Sequence, residues 1–464
     1  MKKHAFFAVV LVALLAVPVV ALAQTEFTLG GYLKLETFWD STQAAKNLNT
    51  PIQRENNRAF NHGRFMATAQ SSRFNFTIKG PKLWGATVTG FLEVDFDGTN
   101  EFLTGNSASN NYTPRLRHAF FRLNWPETEL LFGQYWSYFS EFYPESIQDG
   151  PFQGHGCATA RLPQVRVTQT FGLGNGKVTL SGLIGKPTDT SPTSDAGFGY
   201  AGSVTPALPG TANRDLGQTG TSSEMPQIQA KVAYEADLWG KAPFYGRPRG
   251  FVAQVAAGWQ RTRYPAGFST GARVFDANDY FGPVTAIQRS QEYKNNWMVQ
   301  FNLFIPVIPT TTANLAGTAS LSAQFYLGDG LAAFGEATDT NNSYFSLIQV
   351  VGPLTGVVDR KLMKQYGGYL QAQYYFTNQW YLNVVYGFSK VYGIDRATYV
   401  TINDQYRTWQ EANITLYYRP VTPLRFGLQY AYSRTDWLQR TTVDGQTKDT
   451  GDGHRVSFGA WFFF

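Results

Sequence analysis

Apolar and polar side chains alternate along most of this chain. In the closing run RVSFGAWFFF, Val456, Phe458, Ala460, Phe462 and Phe464 fall at every second position, which places them on one face of a strand. The same alternation predicts sixteen strands, at 26–39, 71–79, 86–96, 114–125, 128–135, 164–171, 176–186, 225–237, 250–264, 293–306, 313–326, 363–376, 380–390, 405–419, 424–438 and 453–464. Most are about ten residues long, enough for a tilted strand to cross a bilayer. Short links such as Pro126-Glu127, 172–175, 377–379 and 420–423 alternate with polar stretches several times longer. An even number of strands, joined by short turns at one end and long loops at the other, is the pattern of a transmembrane antiparallel β-barrel.

The identity of the alternating residues sets the faces. Leu424, Phe426, Leu428, Tyr430 and Tyr432 suit lipid, as do Ile414, Leu416 and Tyr418 in the preceding strand and Val299, Phe301, Leu303 and Ile305 in another. Their neighbours Arg425, Gln429, Asn413, Thr415, Gln300 and Asn302 then face a polar lumen, and a barrel of this strand number encloses an aqueous channel. Trp380, Tyr381, Tyr374 and Tyr375 fall near strand ends, where aromatic girdles sit. Lipid covers the apolar face of the last strand, and closure of the sheet satisfies its backbone.

The N-terminus fixes the compartment. Lys2 and Lys3 precede an apolar run from Ala5 to Val20 and the small-residue pattern Ala21-Leu22-Ala23, which predicts a secretory signal peptide over 1–23, cut after Ala23. Residues 24–464 then form a single barrel domain. Hydrophobic residues make up 43% and aromatic residues 16%, yet no later apolar stretch is long enough for a membrane helix, which excludes a helical membrane protein. The single cysteine, Cys157, cannot form an intramolecular disulfide and suits a small buried hydrophobe. The formal charge of +6 falls by two when Lys2 and Lys3 leave with the signal, too mild a balance to imply nucleic acid as a partner.

Two stretches, WGATVTGFLEVDFDG (84–98) and RLRHAFFRLNWPETELLFGQYWS (115–137), are similar to segments of the DcaP-like trimeric outer-membrane porins of Gram-negative bacteria that lead into the constriction loop. A terminal Phe after alternating hydrophobes resembles the signal read by the barrel assembly machinery, which assigns that role to Phe462 and Phe464. The resemblance covers the first third of the barrel and the last strand. It implies a homotrimer in an outer membrane bounded by lipid and lipopolysaccharide. Some relatives carry a periplasmic coiled-coil extension, whereas the first strand here begins within a few residues of the expected cut, so trimerisation would rest on the barrel wall.

The resemblance places the inward-folded constriction at the third external loop, 136–163. That loop carries Trp136, Tyr138, Tyr143, Glu141, Glu145, Asp149 and Arg161, with Phe139 and Phe142 among them. An ordinary surface loop packed by its own aromatics is the plainer alternative. Lumen parity collects the bases Lys34, Arg73, Lys79, Arg166, Lys177, Lys231, Arg407, Arg419 and Arg425 against the acids Glu36, Glu93, Asp95, Glu235 and Glu411. An excess of one sign in a low-dielectric passage concentrates opposite ions, so a modest anion preference is expected. For strand 114–125 we take the register with Ala119, Phe121 and Leu123 toward lipid. His118 and Arg122 then line the pore; the opposite register would turn Arg115 and Arg117 inward.

Signals for chemistry are weak. The five histidines have no zinc spacing, FGLGNGKV (171–178) imitates a phosphate loop without its first Gly or its Ser/Thr, and DFDGTNE (95–101) has only part of a calcium-loop pattern in Asp95, Asp97 and Glu101. No cofactor, metal site or enzymatic activity is expected. The reading is a porin that passes small hydrophilic, preferentially anionic solutes by diffusion. One alternative is a solute-specific channel for sugars or for aromatic or dicarboxylic acids, with a stacking track of Tyr32, Tyr369, Tyr375 and Tyr417. The other is a non-conducting barrel that serves as an adhesin or outer-membrane enzyme.

Overall fold

A computed structural model describes residues 25–44, 48, 51–57, 59–98, 113–150, 152–188, 223–270, 287–335, 344–350, 355–393 and 406–464. The predicted signal peptide 1–23 and Glu101 lie outside them. Sixteen antiparallel strands run around one closed barrel, each paired with its sequence neighbours. The seam is made by the first and last strands, Glu26–Asp40 and Gln446–Phe463, in register from Tyr32 opposite Phe463 to Asp40 opposite Arg455. Every strand that alternation predicted is present. The second one comes in two pieces, Arg64–Thr68 and Arg73–Leu83, both paired with the first strand.

The faces follow the chemistry of their neighbours. Leu428, Tyr430, Ile414 and Phe301 are exposed on the outer wall, while Gln429, Asn413, Thr415 and Gln300 are buried inside. The girdle is half as expected. Trp380 and Tyr374 are exposed, but Tyr375 and Tyr381 point into the lumen, where their rings stack at 4.5 Å. Period two forces this split, because residues 374 and 375 cannot share a face.

Two departures come from irregular backbone. Between Glu93/His118 and Val94/Leu116 the pairing slips by one residue. A bulge there leaves two successive residues on one face, so Arg115 and Arg117 reach inward above it and His118 and Arg122 below it. The two registers considered for strand 114–125 are therefore both present, one on each side of the bulge. The second departure concerns the connections. The links at the end that carries both termini are not all short: residues 237–250 form a small hairpin, Ala242–Phe244 with Arg247–Arg249, and 309–318 is a longer turn. At the opposite end the strands Phe251–Thr270, Ile287–Ile308, Leu424–Val443 and Gln446–Phe463 continue beyond the apolar belt as tall hairpins.

The last residues finish the seam. The Phe464 N–H reaches the Gly31 carbonyl at 3.3 Å, its ring lies 5.8 Å from that of Phe74, and Phe462 faces outward between Leu33 and Leu424. Deleting Phe464 is expected to lower the amount of assembled barrel at the cell surface while leaving export intact. Quantitative surface labelling checks this, and normal surface levels would count against an assembly role.

Candidate functional site

The third loop, 137–160, crosses the lumen instead of covering it. Its path is set by the wall. Glycines at lumen-facing positions leave a trench in which the loop lies: a Cβ on Gly387 would stand 2.4 Å from the Phe152 ring, and one on Gly459 would stand 3.0 Å from Ile147. Lumen amides then serve the loop backbone. The Tyr138 N–H donates to Gln229 and the Ile147 N–H to Gln429, both at 3.0 Å. Gln300 donates to the Phe139 carbonyl at 3.0 Å and Asn383 to the Glu145 carbonyl at 2.6 Å. A loop inside a barrel has no sheet partner, so its buried peptide groups need such side-chain donors and acceptors.

The acidic loop residues bind the wall at separate points. Glu141 meets Lys231 at 2.6 Å and Arg166 at 3.1 Å. Glu145 accepts from Arg425 at 2.6 Å, Gln373 at 2.7 Å and the Tyr381 hydroxyl at 2.9 Å. Asp149 meets Arg73 at 3.1 Å and Arg117 at 3.4 Å. On the loop, His155 sits 2.7 Å from Glu411, which also accepts from Gln148 at 3.1 Å. Lys34 pairs with Glu36 and donates to the Ile147 carbonyl. Tyr138 is fully buried with its hydroxyl on Ser181, and Cys157 is buried in a cluster with Phe152, Tyr369 and Val385.

Several sequence candidates lie elsewhere. Lys79 pairs with Glu26 at 3.1 Å, Lys177 with Glu235 at 3.8 Å, and Arg419 donates to the Thr422 carbonyl at 3.1 Å, all at the rim that bears the termini. Arg407 falls at a bulge between Tyr406 and Thr408, where the alternation that assigned it to the lumen restarts. The tyrosine track is not continuous. Tyr375, Tyr381 and Tyr417 stack in sequence at 4.5 and 4.8 Å but are buried under Ile147 and Leu315, and Tyr369 packs in the separate Cys157 cluster. Asp95 is fully buried with both oxygens taken by Arg115 and Arg117, which removes a leading ligand from the calcium reading of 95–101.

What the loop leaves open is a cavity of about 760 Å³ against the strands between Arg73 and Trp136. It extends from Thr188 and Gly335 at the external side to Phe91 and Arg122 toward the periplasmic side. Five arginines line it, Arg73, Arg115, Arg117, Arg122 and Arg161, against Glu93, Asp97 and Asp149. Arg115 grips Asp95 through two parallel bonds of 2.9 and 2.7 Å; Arg117 bridges Glu93 at 2.8 Å and Asp95 at 2.6 Å. Arg122 meets Glu129 at 3.4 Å. Arg161 rests on the Trp136 ring, 4.9 Å from its centre, and its Nη1 has no hydrogen-bond partner among the described residues. Aromatic rings are interleaved with these bases: Phe91, Phe120, Tyr135 and Trp136 from the same strands, with Arg122 over Phe120 and Arg117 over Trp136, and Tyr143 from the loop.

The fold of this sixteen-strand barrel is matched in solved structures. The outer-membrane channel DcaP of Acinetobacter baumannii is 19% identical, with 96% of this chain and 99% of that one covered and a TM-score of 0.63. The fold is that of a DcaP-like outer-membrane porin. The apolar belt and closed sheet place such a barrel in the outer membrane of a Gram-negative cell. The anion-selective porin from Comamonas acidovorans is 10% identical over 95% of this chain and 100% of that one, with a TM-score of 0.49. Pseudomonas putida OprB is 12% identical over 95% and 94%, with a TM-score of 0.47. No family model matches the chain, and no curated protein sequence matches it either.

The register preferred from the sequence left Arg115 and Arg117 out of the lining, and the trench had no place in that reading. Glycines at lumen positions, Gly387 between Val385 and Ser389 and Gly459 between Ser457 and Trp461, are the available signal for the trench.

Proposed function

We propose that the protein is a porin that lets small hydrophilic solutes diffuse across the outer membrane, with a modest preference for anions and no chemistry performed. The loop 137–160 is its constriction, and solutes pass between that loop and the strands that carry Arg73, Arg115, Arg117 and Arg122. The observation that carries the reading is the cavity lining, which among the described residues sets five arginines against three carboxylates and leaves Arg161 facing the space without an acidic partner. Assembly as a homotrimer, with contacts made by the barrel wall, belongs to the same reading.

Selectivity is decided by charges close to the ion path, because the Debye length at physiological salt is about 8 Å. A unit charge at that distance in a water-like medium is worth about 0.5 kcal/mol, of opposite sign for chloride and potassium. Arg161→Gln should therefore lower the chloride-to-potassium permeability ratio by a factor of several, on the order of fivefold at most. Reversal potentials in a potassium chloride gradient read this directly. An unmodified channel that prefers potassium would overturn the anion assignment, and purified protein that forms no channel would overturn the porin reading.

A further inference from the structure

The hairpin within 237–250 enters the barrel from the end that carries the termini and ends against the third loop. Its framework is fixed on the wall: the Pro243 carbonyl accepts from Ser320 at 2.8 Å, and Phe244 packs on Phe304 with ring centres 5.0 Å apart. Arg249 lies 4.5 Å from the centre of the Phe244 ring and 5.5 Å from that of Phe142, with Glu235 at 3.5 Å. Phe244 also meets Phe142 of the loop at 5.3 Å.

The tip makes the decisive contact. The Tyr245 hydroxyl accepts from the Tyr143 N–H at 3.0 Å and donates to the Tyr143 carbonyl, and the two rings lie 4.9 Å apart. One side chain thus satisfies both peptide groups of a single loop residue, and that residue lines the open cavity. Tyr245 achieves this from an unfavourable backbone. Its φ is 51° and that of Gly246 is 73°, the left-handed pair of a two-residue hairpin turn, whose first position suits Asn, Asp or Gly and penalises a bulky side chain. A residue that works against its turn and is met by two complementary partners is held there by the contact it makes.

We infer that this hairpin is a strut built in from the periplasmic side, with Tyr245 as the positioning residue that fixes Tyr143 and so sets the width of the passage. The inference rests on the porin reading and adds a second element to the constriction. Tyr245→Asn separates the turn from the strut: the turn becomes more favourable, while the ring contact and both hydrogen bonds are lost. Tyr245→Phe keeps ring and turn and removes only the hydrogen bonds.

The test uses the full-length protein in planar bilayers, with single-channel current, open-state noise and the size of polymer excluded from either side as readouts. Tyr245→Asn should give a larger, noisier open state that admits larger polymers, with the population of loosened loop raised roughly tenfold. Tyr245→Phe should fall between it and the unmodified channel. Heat-modifiable gel mobility should be unchanged in both. If Tyr245→Asn does not assemble, Tyr245→Phe carries the same test alone. A conducting unmodified protein whose assembled variants match it in current, noise and exclusion overturns the strut and leaves the porin reading standing. An unmodified protein that forms no channel overturns both.

Discussion

Replacing residues 138–160 with a short glycine-serine link should raise single-channel conductance several-fold and raise the size of polymer that the channel excludes. The loop lies against the trench at Gly387 and Gly459 and is held at Glu141, Glu145, Asp149 and His155, so it fills most of one side of the lumen. The wall should survive its loss. Each wall strand is hydrogen-bonded to its two neighbours, and none of those pairings passes through the loop. Arg425, Arg166 and Lys231 would lose their loop carboxylates, but a widened lumen admits water to them, so they are not left as dry unpaired charges. Equal currents in the shortened and unmodified channels would sink the constriction assignment.

The barrel was legible in the sequence because period-two alternation is a local property that survives wherever one face meets lipid and the other water. It failed where that contrast stops. The upper ends of Leu424–Val443 and Gln446–Phe463 stand outside the belt with mostly polar residues on both faces, so alternation marks these strands only over 424–438 and 453–464. It also failed at 117–118, where a bulge resets the alternation, and a strict count could seat only half of the four residues that face inward.

The candidate site was harder to read, because charge counting ignores pairing across the lumen. Parity counts Arg166, Lys231 and Arg425 toward the positive excess of the lumen without naming their partners, and each is bound by Glu141 or Glu145. The bases that face the open cavity come largely from the residues around the bulge and from Arg161. The strut was illegible for another reason. Its sequence, APFYGRPR, reads as a turn, and only the fold shows that this turn is directed into the barrel.

The sign of the selectivity should reverse in the double variant Arg115→Gln/Arg117→Gln. These two side chains hold Asp95 between them, and Arg117 also bridges Glu93 and Asp149. Removing both leaves Arg73, Arg122 and Arg161 facing Glu93, Asp97 and Asp149, with Asp95 newly uncovered beneath them. The lining passes from a cationic excess to an anionic one. Two unit charges removed about 8 Å from the path change the balance between chloride and potassium by on the order of tenfold or more in a water-like medium, enough to invert a modest preference. Carboxylates that have lost their guanidinium partners would draw mobile cations in their place, which adds to potassium flux. The effect should fade toward 1 M salt, where the Debye length is about 3 Å. Arg115→Lys/Arg117→Lys keeps the charges but not the paired bonds to Asp95, and should retain anion preference, with a reversal potential near that of the unmodified channel. If the glutamine pair still favours chloride at low salt, ions do not pass beside Arg115 and Arg117, and the passage must be sought on the other side of the loop.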